Sequence, residues 1–579
     1  MKFCLNKLEI LLIFAIFFLV GTYAVPDVNE AHYIEKAAHF WNPDYVHGDF
    51  FLDSQDAHAV FYWTFGWLTL LFPMETVIWI GRCLTWFGMA AGWWRMTRPV
   101  FKRWGFGVLS ALLFLFLNQK CSCAGEWVVG GVEAKGFAYV FVFFGLGELF
   151  RNRWNRALVF FGIGAMFHVL VGGWCIAALG IAWLVLNIHE RTLKKNGSPA
   201  DLEKCFLPSL RELLPGLTAA VLFTLPALVP ALQLNADVPA ETARNATYLY
   251  VYERLPHHLL LSHMAEHNSV KLGLFALLIL VWGFLCARPR TSHGDMTFRT
   301  FICGALVIAM IGWGINLFIE IAPDKAASLL RYYWFRLADV MLPLGVSLLF
   351  IRYADGLCQN TRLSGQNTIS GQNTRLSGQN TRLSGRRLSG MVLLGMAVLA
   401  SGMTFYGALG KFSKPMRPRS CSGASRGETW QELCRFAREN TEKDALFVVP
   451  YTTRTFRWFA RRGEVGVWKD IPQDAGGLCE WWERMQDQFY AFDINKPGQT
   501  YGRAGSFTQM PKAKIELLKT KYGADYIVRN KHDLKGRHIL MKTRNGIEDY
   551  ELVFENKDFE LRRLSDTKRE EAAQDQASP

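Results

Sequence analysis

The sequence predicts an α-helical polytopic membrane protein of about eleven spans, N-terminus in and C-terminus out, followed by a small α/β extracytoplasmic C-terminal domain. Three observations lead to this fold class. Hydrophobic residues make up 51% of the 579 residues and aromatic residues 14%, and they are concentrated in blocks close to the length that crosses a bilayer. Lys and Arg are concentrated in alternate loops. After Leu409 the blocks stop, and helical and strand patterns alternate.

The apolar blocks define the predicted spans. They lie at residues 9–25, 75–95, 104–118, 137–150, 157–171, 173–187, 215–233, 271–287, 300–321, 338–351 and 391–409. The segment Ala59–Leu71 is apolar but short, so we expect it to lie on the outer surface of the membrane. The first block also fits a cleavable signal peptide, because Lys2 and Lys7 precede it and GTYA ends it. The later spans are the same in either case.

The distribution of positive charge predicts the orientation. The loops RMTRPVFKR, RNRWNR, HERTLKKNGS and RPRTSHGDMTFR carry far more Lys and Arg than the loops between them, several of which are longer. Cytoplasmic loops are enriched in these residues. The N-terminus is therefore expected inside, and the C-terminal domain outside. This topology predicts a multi-pass protein of the cell (inner) membrane.

Domain boundaries follow from changes in composition. We expect a membrane domain at 1–352 with an outer loop at 26–74, a cytoplasmic repeat loop at 353–390, a last span at 391–409, an extracytoplasmic α/β domain at 410–565, and a disordered tail at 566–579. The repeat loop contains near-identical copies of QNTRLSG and has no apolar face to bury, which predicts disorder.

Helix and strand patterns alternate in the C-terminal domain. TWQELCRFAREN, AGGLCEWWERMQDQF and PKAKIELLKTKYG predict helices, the last of them ended by Gly523. Strands are predicted for ALFVVP, EVGVWKD, ADYIVRN, HILMK, YELVFE and FELRRL. This alternation is typical of a small α/β domain.

Acidic, histidine and aromatic residues crowd the segment Val25–Trp63, directly after the first span. Asp27 and Glu30 have the spacing of a capping box, in which Asp27 is the N-cap and Glu30 closes the first turn. A carboxylate at a membrane face is also suited to act as a general base toward a hydroxyl or amine. Both interpretations stay open, since a capped helix would hold both carboxylates on one rim.

Positively charged and histidine side chains lie in or beside the outer loops. Arg82 falls within a span, where an arginine faces either a cavity or an acid that pairs with it. The other candidate ligands of a phosphate are Arg254, His257, His258, Arg331 and Arg336. Each of these also has a structural interpretation, as a polar lip residue or an interfacial anchor. The loop with Glu126, Glu133 and Lys135 predicts either a site or a surface ion pair.

These features together resemble the C-type glycosyltransferases, which include protein O-mannosyltransferases and lipid A aminoarabinose transferases. The resemblance is carried by the acids after the first span, the outer aromatic segment at FYW, and the GR at Arg82. It implies a catalytic acid at Asp27 or Glu30 and a polyprenyl-phosphate sugar donor held by the positive outer residues. Many members have adjacent Asp-Glu, whereas two residues intervene here. The chain also resembles bacterial multi-span membrane proteins that have no assigned activity.

The predicted function is therefore that of a membrane glycosyltransferase-like protein using a lipid-linked sugar on the outer face. The alternative is a transporter or another non-catalytic membrane protein, which would place polar residues on broken helices at mid-membrane. Here the ionisable residues gather at the outer ends of the spans. The 12 Cys have no metal-ligand spacing, so no metal site is predicted. The lipid bilayer and a lipid-linked sugar are the expected partners, and nucleic acid is not.

Overall fold

The computed structural model describes residues 2–195, 207–289, 292–364, 376–412, 427–451, 453–492, 500–503, 510–531 and 546–564. The chain divides into two compact units. One, called here the helical unit, comprises Met1–Thr22, Ile80–Val229 and Tyr250–Met416. The other, called the mixed unit, comprises Tyr23–Trp79, Pro230–Leu249 and Arg417–Pro579.

Helices occupy most of the part of the chain before residue 413. They are α1 Lys2–Gly21, α2 Glu30–Trp41, α3 Phe50–Asp53, α4 Ala59–Thr64, α5 Met74–Thr97, α6 Phe106–Cys121, α7 Ala134–Leu149, α8 Trp154–Phe167, α9 Val169–Lys195, α10 Leu210–Gln233, α11 Ala240–Tyr248, α12 Pro256–Leu259, α13 Leu261–His267, α14 Ser269–Cys286, α15 His293–Asn316, α16 Pro323–Leu330, α17 Arg336–Ser364 and α18 Leu376–Phe412. A 3-10 turn covers Gly66–Leu70, and a π-turn covers Leu249–Arg254.

Six helical segments are long and apolar enough to cross a membrane, judged by length and composition. They are Val169–Thr192, Leu210–Gln233, Ser269–Cys286, His293–Asn316, Arg336–Gln359 and Gly385–Phe412. These six segments make the chain a multi-pass membrane protein. They correspond to the last six of the predicted spans.

The first five predicted spans also coincide with helices, but none of those helices meets the same criteria. Three of them, α6, α7 and α8, have 16, 16 and 14 residues, fewer than the roughly 20 that cross a bilayer without help from their neighbours. The total of eleven spans and the predicted orientation therefore stay predictions.

Small residues allow the helices of the helical unit to approach closely. A Cβ on Gly172 of α9 would come within 2.1 Å of the backbone nitrogen of Ala165 in α8. A Cβ on Gly304 of α15 would lie 2.6 Å from the carbonyl oxygen of Ala178. In membranes, where apolar burial gives little drive between helices, such close backbone contact is a main source of packing energy.

Two helices reach into the segment 353–390, whose disorder stays a prediction. Helix α17 runs on to Ser364, and α18 begins at Leu376, inside the repeat. Extending a helix costs far less than nucleating one, so a stable span can carry adjoining polar residues into helical conformation. The QNTRLSG copies contain Leu, Arg and Gln, which favour helix once it has begun. Residues 365–375 lie outside the described part of the chain.

The C-terminal part of the mixed unit is a small α/β fold, as predicted. Its helices are α19 Glu428–Asn440, α20 Phe456–Ala460, α21 Ala475–Phe489 and α22 Lys512–Tyr522, with a 3-10 turn at Gly546–Asp549. Its strands are β1 Leu446–Val448, β2 Gly463–Glu464, β3 Tyr490–Phe492, β4 Thr500–Arg503, β5 Tyr526–Asn530, β6 Glu551–Glu555 and β7 Phe559–Arg563. Gly523 ends α22 in the left-handed conformation.

A five-stranded sheet of order β2-β1-β5-β7-β6 organises this fold. Strand β1 is parallel to β2 and β5, whereas β7 is antiparallel to both β5 and β6. One face packs on α19 through Trp430 and Leu433, and the other packs on α21 and α22 through Trp481 and Ile515. The predicted strand EVGVWKD is wrong beyond Glu464, because the following residues leave the sheet. HILMK lies outside the described residues.

The predicted outer loop belongs to the mixed unit. Asp49 caps α3 by accepting the backbone N–H groups of Phe51 and Leu52. From the end of α4 onward, a run of large apolar side chains is exposed, including Trp63 at 69%, Leu70 at 54% and Leu71 at 64%. Exposed apolar residues of this size suit contact with lipid, in keeping with the predicted position on the membrane surface, which stays a prediction.

Candidate active site

The two predicted catalytic acids share one turn of the mixed unit. The backbone N–H of Asp27 donates to Glu30 Oε2 at 2.6 Å, and the N–H of Glu30 donates to the carbonyl of Asp27 at 3.0 Å. Both residues are fully buried. Glu30 thus makes its half of the predicted capping box, although α2 begins at Glu30 and its N-cap is Asn29. The capping interpretation and the catalytic one remain compatible.

A buried arginine cluster lies in the same unit. Arg457 of α20 donates from Nη1 to Asp49 Oδ1 at 3.2 Å and to Glu464 Oε2 at 3.2 Å, and from Nη2 to Asp470 Oδ2. Its Nε lies 3.7 Å from Glu35 Oε2. Every one of these side chains is at most 6% exposed. One cation therefore contacts four carboxyl groups, two from the predicted outer loop at 26–74 and two from the C-terminal part.

Burial and charge shift the pKa values in this cluster in different directions. Burial lowers the pKa of Arg457, but Asp49, Asp470, Glu464 and Glu35 together raise it above its ordinary value, so the guanidinium stays charged. Burial raises the pKa of Glu35 to about 7, against an opposing effect of Arg457. Burial also raises the pKa of Glu464. For Asp470 the effect of burial is outweighed by Arg457 and His32, and its pKa falls well below the ordinary value.

Two consecutive residues of the C-terminal part contact the acid-bearing turn. Lys469 Nζ donates to Asn29 Oδ1 at 2.6 Å, and Asp470 Oδ1 lies 3.3 Å from His32 Nδ1. The His32 ring packs on Phe51 with 4.5 Å between ring centroids. Asn29 and His32 stand on either side of Glu30 in α2 and its N-cap. The turn is therefore held from both sides by the residues Lys469 and Asp470.

A second polar cluster lies in the helical unit, at the beginning of α17. Arg336 Nε lies 3.1 Å from Glu126 Oε2, and Arg336 Nη1 lies 3.1 Å from His168 Nε2. Its guanidinium sits 4.0 Å from the centroid of the Tyr333 ring. Lys135 packs in the same way on Trp127, at 4.0 Å. Cations stacked on aromatic faces are held firmly while still presenting positive charge.

Asp339 fixes the loop that contributes Glu126 to this cluster. It accepts hydrogen bonds from Ser122 Oγ at 2.7 Å and from the backbone N–H groups of Cys123 and Ala124 at 2.9 Å each. A carboxylate that collects several backbone donors holds a loop in one conformation. Glu133 and Lys135 form an ion pair at 3.2 Å, and their side chains are 3% and 10% exposed. The predicted surface ion pair is therefore buried.

Three of the predicted phosphate ligands, Arg254, His258 and Arg336, lie near Tyr333. Arg254 is buried and lies near Tyr333, whose pKa is raised well above its ordinary value by burial, against a smaller opposing effect of Arg254. Arg331 caps the end of α16, 6.0 Å from the Tyr332 ring. Arg82 is fully buried within α5. Arg336 and Arg254 are thus brought to the neighbourhood of Tyr333.

His257 and His258 stack with their ring centroids 4.1 Å apart. His258 Nδ1 contacts the carbonyl oxygen of Ala124, so that nitrogen carries the proton and Nε2 is left as an acceptor. Burial, followed by the charge of His257, lowers the pKa of His258 well below its ordinary value. A neutral imidazole of this tautomer orients the loop at Ala124 and is poorly suited to donate to a phosphate.

Sequence reasoning missed the arginine cluster. The acids Glu35 and Asp49 lie in the acid-rich segment Val25–Trp63, and Arg457, Glu464 and Asp470 lie in FRWFARRGEVGVWKD. No local sequence pattern connects residues so far apart. In the part of the chain that the structure describes, no group of three or more His, Cys, Asp or Glu residues could hold a metal ion.

Comparison with known proteins finds one family model over part of the chain and a distantly similar solved structure. The model of the family described as Domain of unknown function (DUF6798) matches residues 428–488, a stretch that contains Arg457, Glu464 and Asp470. No curated protein matches the chain. Among solved structures, the chain is similar to the archaeal oligosaccharyltransferase AglB from Archaeoglobus fulgidus in complex with an inhibitory peptide and a dolichol-phosphate. The identity is 12%, the TM-score is 0.41, and the match covers 91% of this chain and 69% of that chain.

Proposed function

We propose that this protein is a membrane glycosyltransferase that transfers a sugar from a polyprenyl-phosphate-linked donor to a hydroxyl or amine acceptor on the outer face of the inner membrane. The observation that supports this most is the pair of fully buried acids, Asp27 and Glu30, on one turn directly after α1. Carboxylates are rarely fully buried unless they are paired, and ionisable groups with perturbed pKa values cluster at functional sites.

In this proposal one of the two acids is the general base. The acceptor O–H or N–H bond breaks and its proton passes to the carboxylate, while the new bond forms at the anomeric carbon. The bond from that carbon to the phosphate oxygen breaks, and the lipid phosphate leaves with the electron pair. Positive side chains are needed for the phosphate. The proposed group is Arg82, Arg254, His257, Arg331 and Arg336, with His258 supporting the loop beside them.

Substitution of the acids tests this proposal. Asp27→Asn and Glu30→Gln keep the capping geometry but remove a carboxylate. The full-length protein in nanodiscs is assayed with radiolabelled polyprenyl-phosphate sugars, including hexose, N-acetylhexosamine and aminoarabinose donors. Loss of a general base costs about 10²–10⁴-fold in rate, so we expect at least one variant to lose activity to this extent at an unchanged melting temperature.

The matched control is Asp44→Asn, which alters an exposed carboxylate of the same loop and should keep full activity. Full turnover by both Asp27→Asn and Glu30→Gln would make these acids structural. If the unaltered protein transferred none of the sugars, the enzymatic proposal itself would fail, and the transporter alternative would gain support.

A further inference from the structure

Two of the contacts between the predicted outer loop and the C-terminal part reach the turn that bears the acids. Lys469 binds Asn29, and Asp470 binds His32. Asn29 and His32 flank Glu30, whose carboxylate accepts a hydrogen bond from the backbone N–H of Asp27. These two contacts therefore bear on the short stretch 27–32, whereas the arginine cluster reaches α2 at Glu35.

Asp470 is well fixed for this task. Its second oxygen accepts from Arg457 Nη2, and Arg457 is anchored in turn by Asp49 and Glu464. The backbone N–H of Glu464 donates to Asp49 Oδ2 at 2.9 Å. A side chain that is held by an immobile partner loses less entropy when it binds a third group, and it fixes the position of that group more tightly.

Lys469 reaches the turn independently of the arginine cluster. Its ammonium group donates to the Asn29 side chain at the N-cap of α2. Ala57, in the same loop, also donates its N–H to Gln473 Oε1 at 3.1 Å. The segment 469–473 thus runs along the first outer loop and contacts it at several separate points.

We propose that Lys469 and Asp470 are positioning residues for the acids Asp27 and Glu30, so that the α/β fold forms the rigid backing of the catalytic turn. This inference rests on the proposed function for its kinetic consequence. Its structural part, that these two residues order residues 27–32, stands apart from any particular substrate. A displacement of about 1 Å of a catalytic group costs on the order of 10²-fold in rate.

Lys469→Met is the principal test, because it keeps the side-chain stem and removes the charged donor. We expect hydrogen–deuterium exchange of the amides at residues 27–33 to become faster, kcat to fall about 10–100-fold and KM to change little. Lys469→Arg retains a donor and should restore both measurements. Lys521→Met makes the same chemical change in an ion pair with Glu483 and Asp487, and neither measurement should move.

Asp470→Ala tests the contact with His32. Asn29→Ala, alone and combined with Lys469→Met, completes a double-mutant cycle for the contact between Lys469 and Asn29. This cycle is informative even if Asp470→Ala fails to fold. Unchanged exchange at 27–33 in Lys469→Met would overturn the inference. Faster exchange with unchanged kcat, in a protein whose turnover depends on Asp27 or Glu30, would overturn the positioning role. If the unaltered protein transfers no sugar, the exchange measurement still decides whether these residues order the turn.

Discussion

Arg457 faces more negative charge than it can neutralise. Glu35, Asp49, Glu464 and Asp470 all lie within 3.7 Å of its guanidinium. Four carboxylates around one cation would repel one another strongly in a buried environment. The raised pKa values of Glu35 and Glu464 relieve this repulsion, since the protonated carboxyl groups add no charge. Asp470 stays ionised because it is the acid bound most directly.

The raised pKa of Glu35 predicts that the stability of the folded protein depends on pH. A carboxyl group whose pKa rises from 4.5 to about 7 on folding binds its proton more tightly in the folded protein. Its stabilising contribution is complete below the ordinary pKa and is lost as the pH rises through about 7. We expect the free energy of unfolding to fall by up to about 3 kcal/mol over this range. The variant Glu35→Gln should lack this pH-dependent fall.

The measurement is the melting temperature of the full-length protein between pH 5 and pH 8, followed by tryptophan fluorescence. The melting temperature of the unaltered protein should fall more over this range than that of Glu35→Gln. Glu439→Gln, at a side chain that is 57% exposed, should follow the unaltered protein. Parallel curves for Glu35→Gln and the unaltered protein would contradict the assigned titration.

At the scale of elements, patterns of local periodicity predicted most helices. Each of the eleven apolar blocks overlaps a helix, although block 157–171 crosses the break at His168 between α8 and α9, and the three helices predicted after Leu409 are α19, α21 and α22. Strand β2 has only two residues, because Gly463 and Glu464 pair with β1 and the chain then turns to follow the outer loop. That departure depends on a tertiary contact, so the alternating residues of EVGVWKD could not reveal it.

The ends of α17 and α18 predict how the repeat responds to deletion. A Cβ on Gly390 of α18 would lie 2.8 Å from Cys358 Sγ and 2.9 Å from the carbonyl oxygen of Ala354, so the helices already touch next to the repeat. Deleting residues 359–385 would leave Arg386–Ser389 to connect them. Loop-closure entropy changes little with length, and we expect expression and melting temperature to stay almost unchanged.

Replacing residues 359–385 by a Gly/Ser segment of equal length controls for the shorter connection. Size-exclusion profiles in detergent and thermal melts report the outcome. A large loss of folded protein in both variants would mean that the repeat contributes packing of its own.

At the scale of the whole molecule, the sequence predicted a helical membrane part and a small α/β part, but not their composition. Residues 23–79 and 230–249 belong with the C-terminal residues in the mixed unit. Periodicity and charge patterns report on neighbours in sequence, whereas the bonds that gather Glu35, Asp49 and Arg457 span most of the chain. The acids of the turn could be identified from the sequence, and the residues that hold them could not.

The orientation of the chain can be tested directly. The excess of Lys and Arg in alternate loops predicts that a phosphatase reporter fused after Leu409 is active, and that one inserted at Gly378 is inactive. A fluorescent protein that folds only in the cytoplasm should give the opposite pattern at both positions. Activity of the same reporter at both sites would exclude the eleven-span topology.

The pairing of Asp49 with Arg457 also has a consequence for biosynthesis, because 408 residues separate the two. A ribosome adds about 5–20 residues per second, so Asp49 emerges about 20 to 80 seconds before its cation. During that interval the first outer loop is translated and the hydrophobic helices that follow it are inserted. The loop cannot bury its acids until Arg457 arrives, so a nascent chain halted before that residue would expose an unfinished loop to chaperones and proteases.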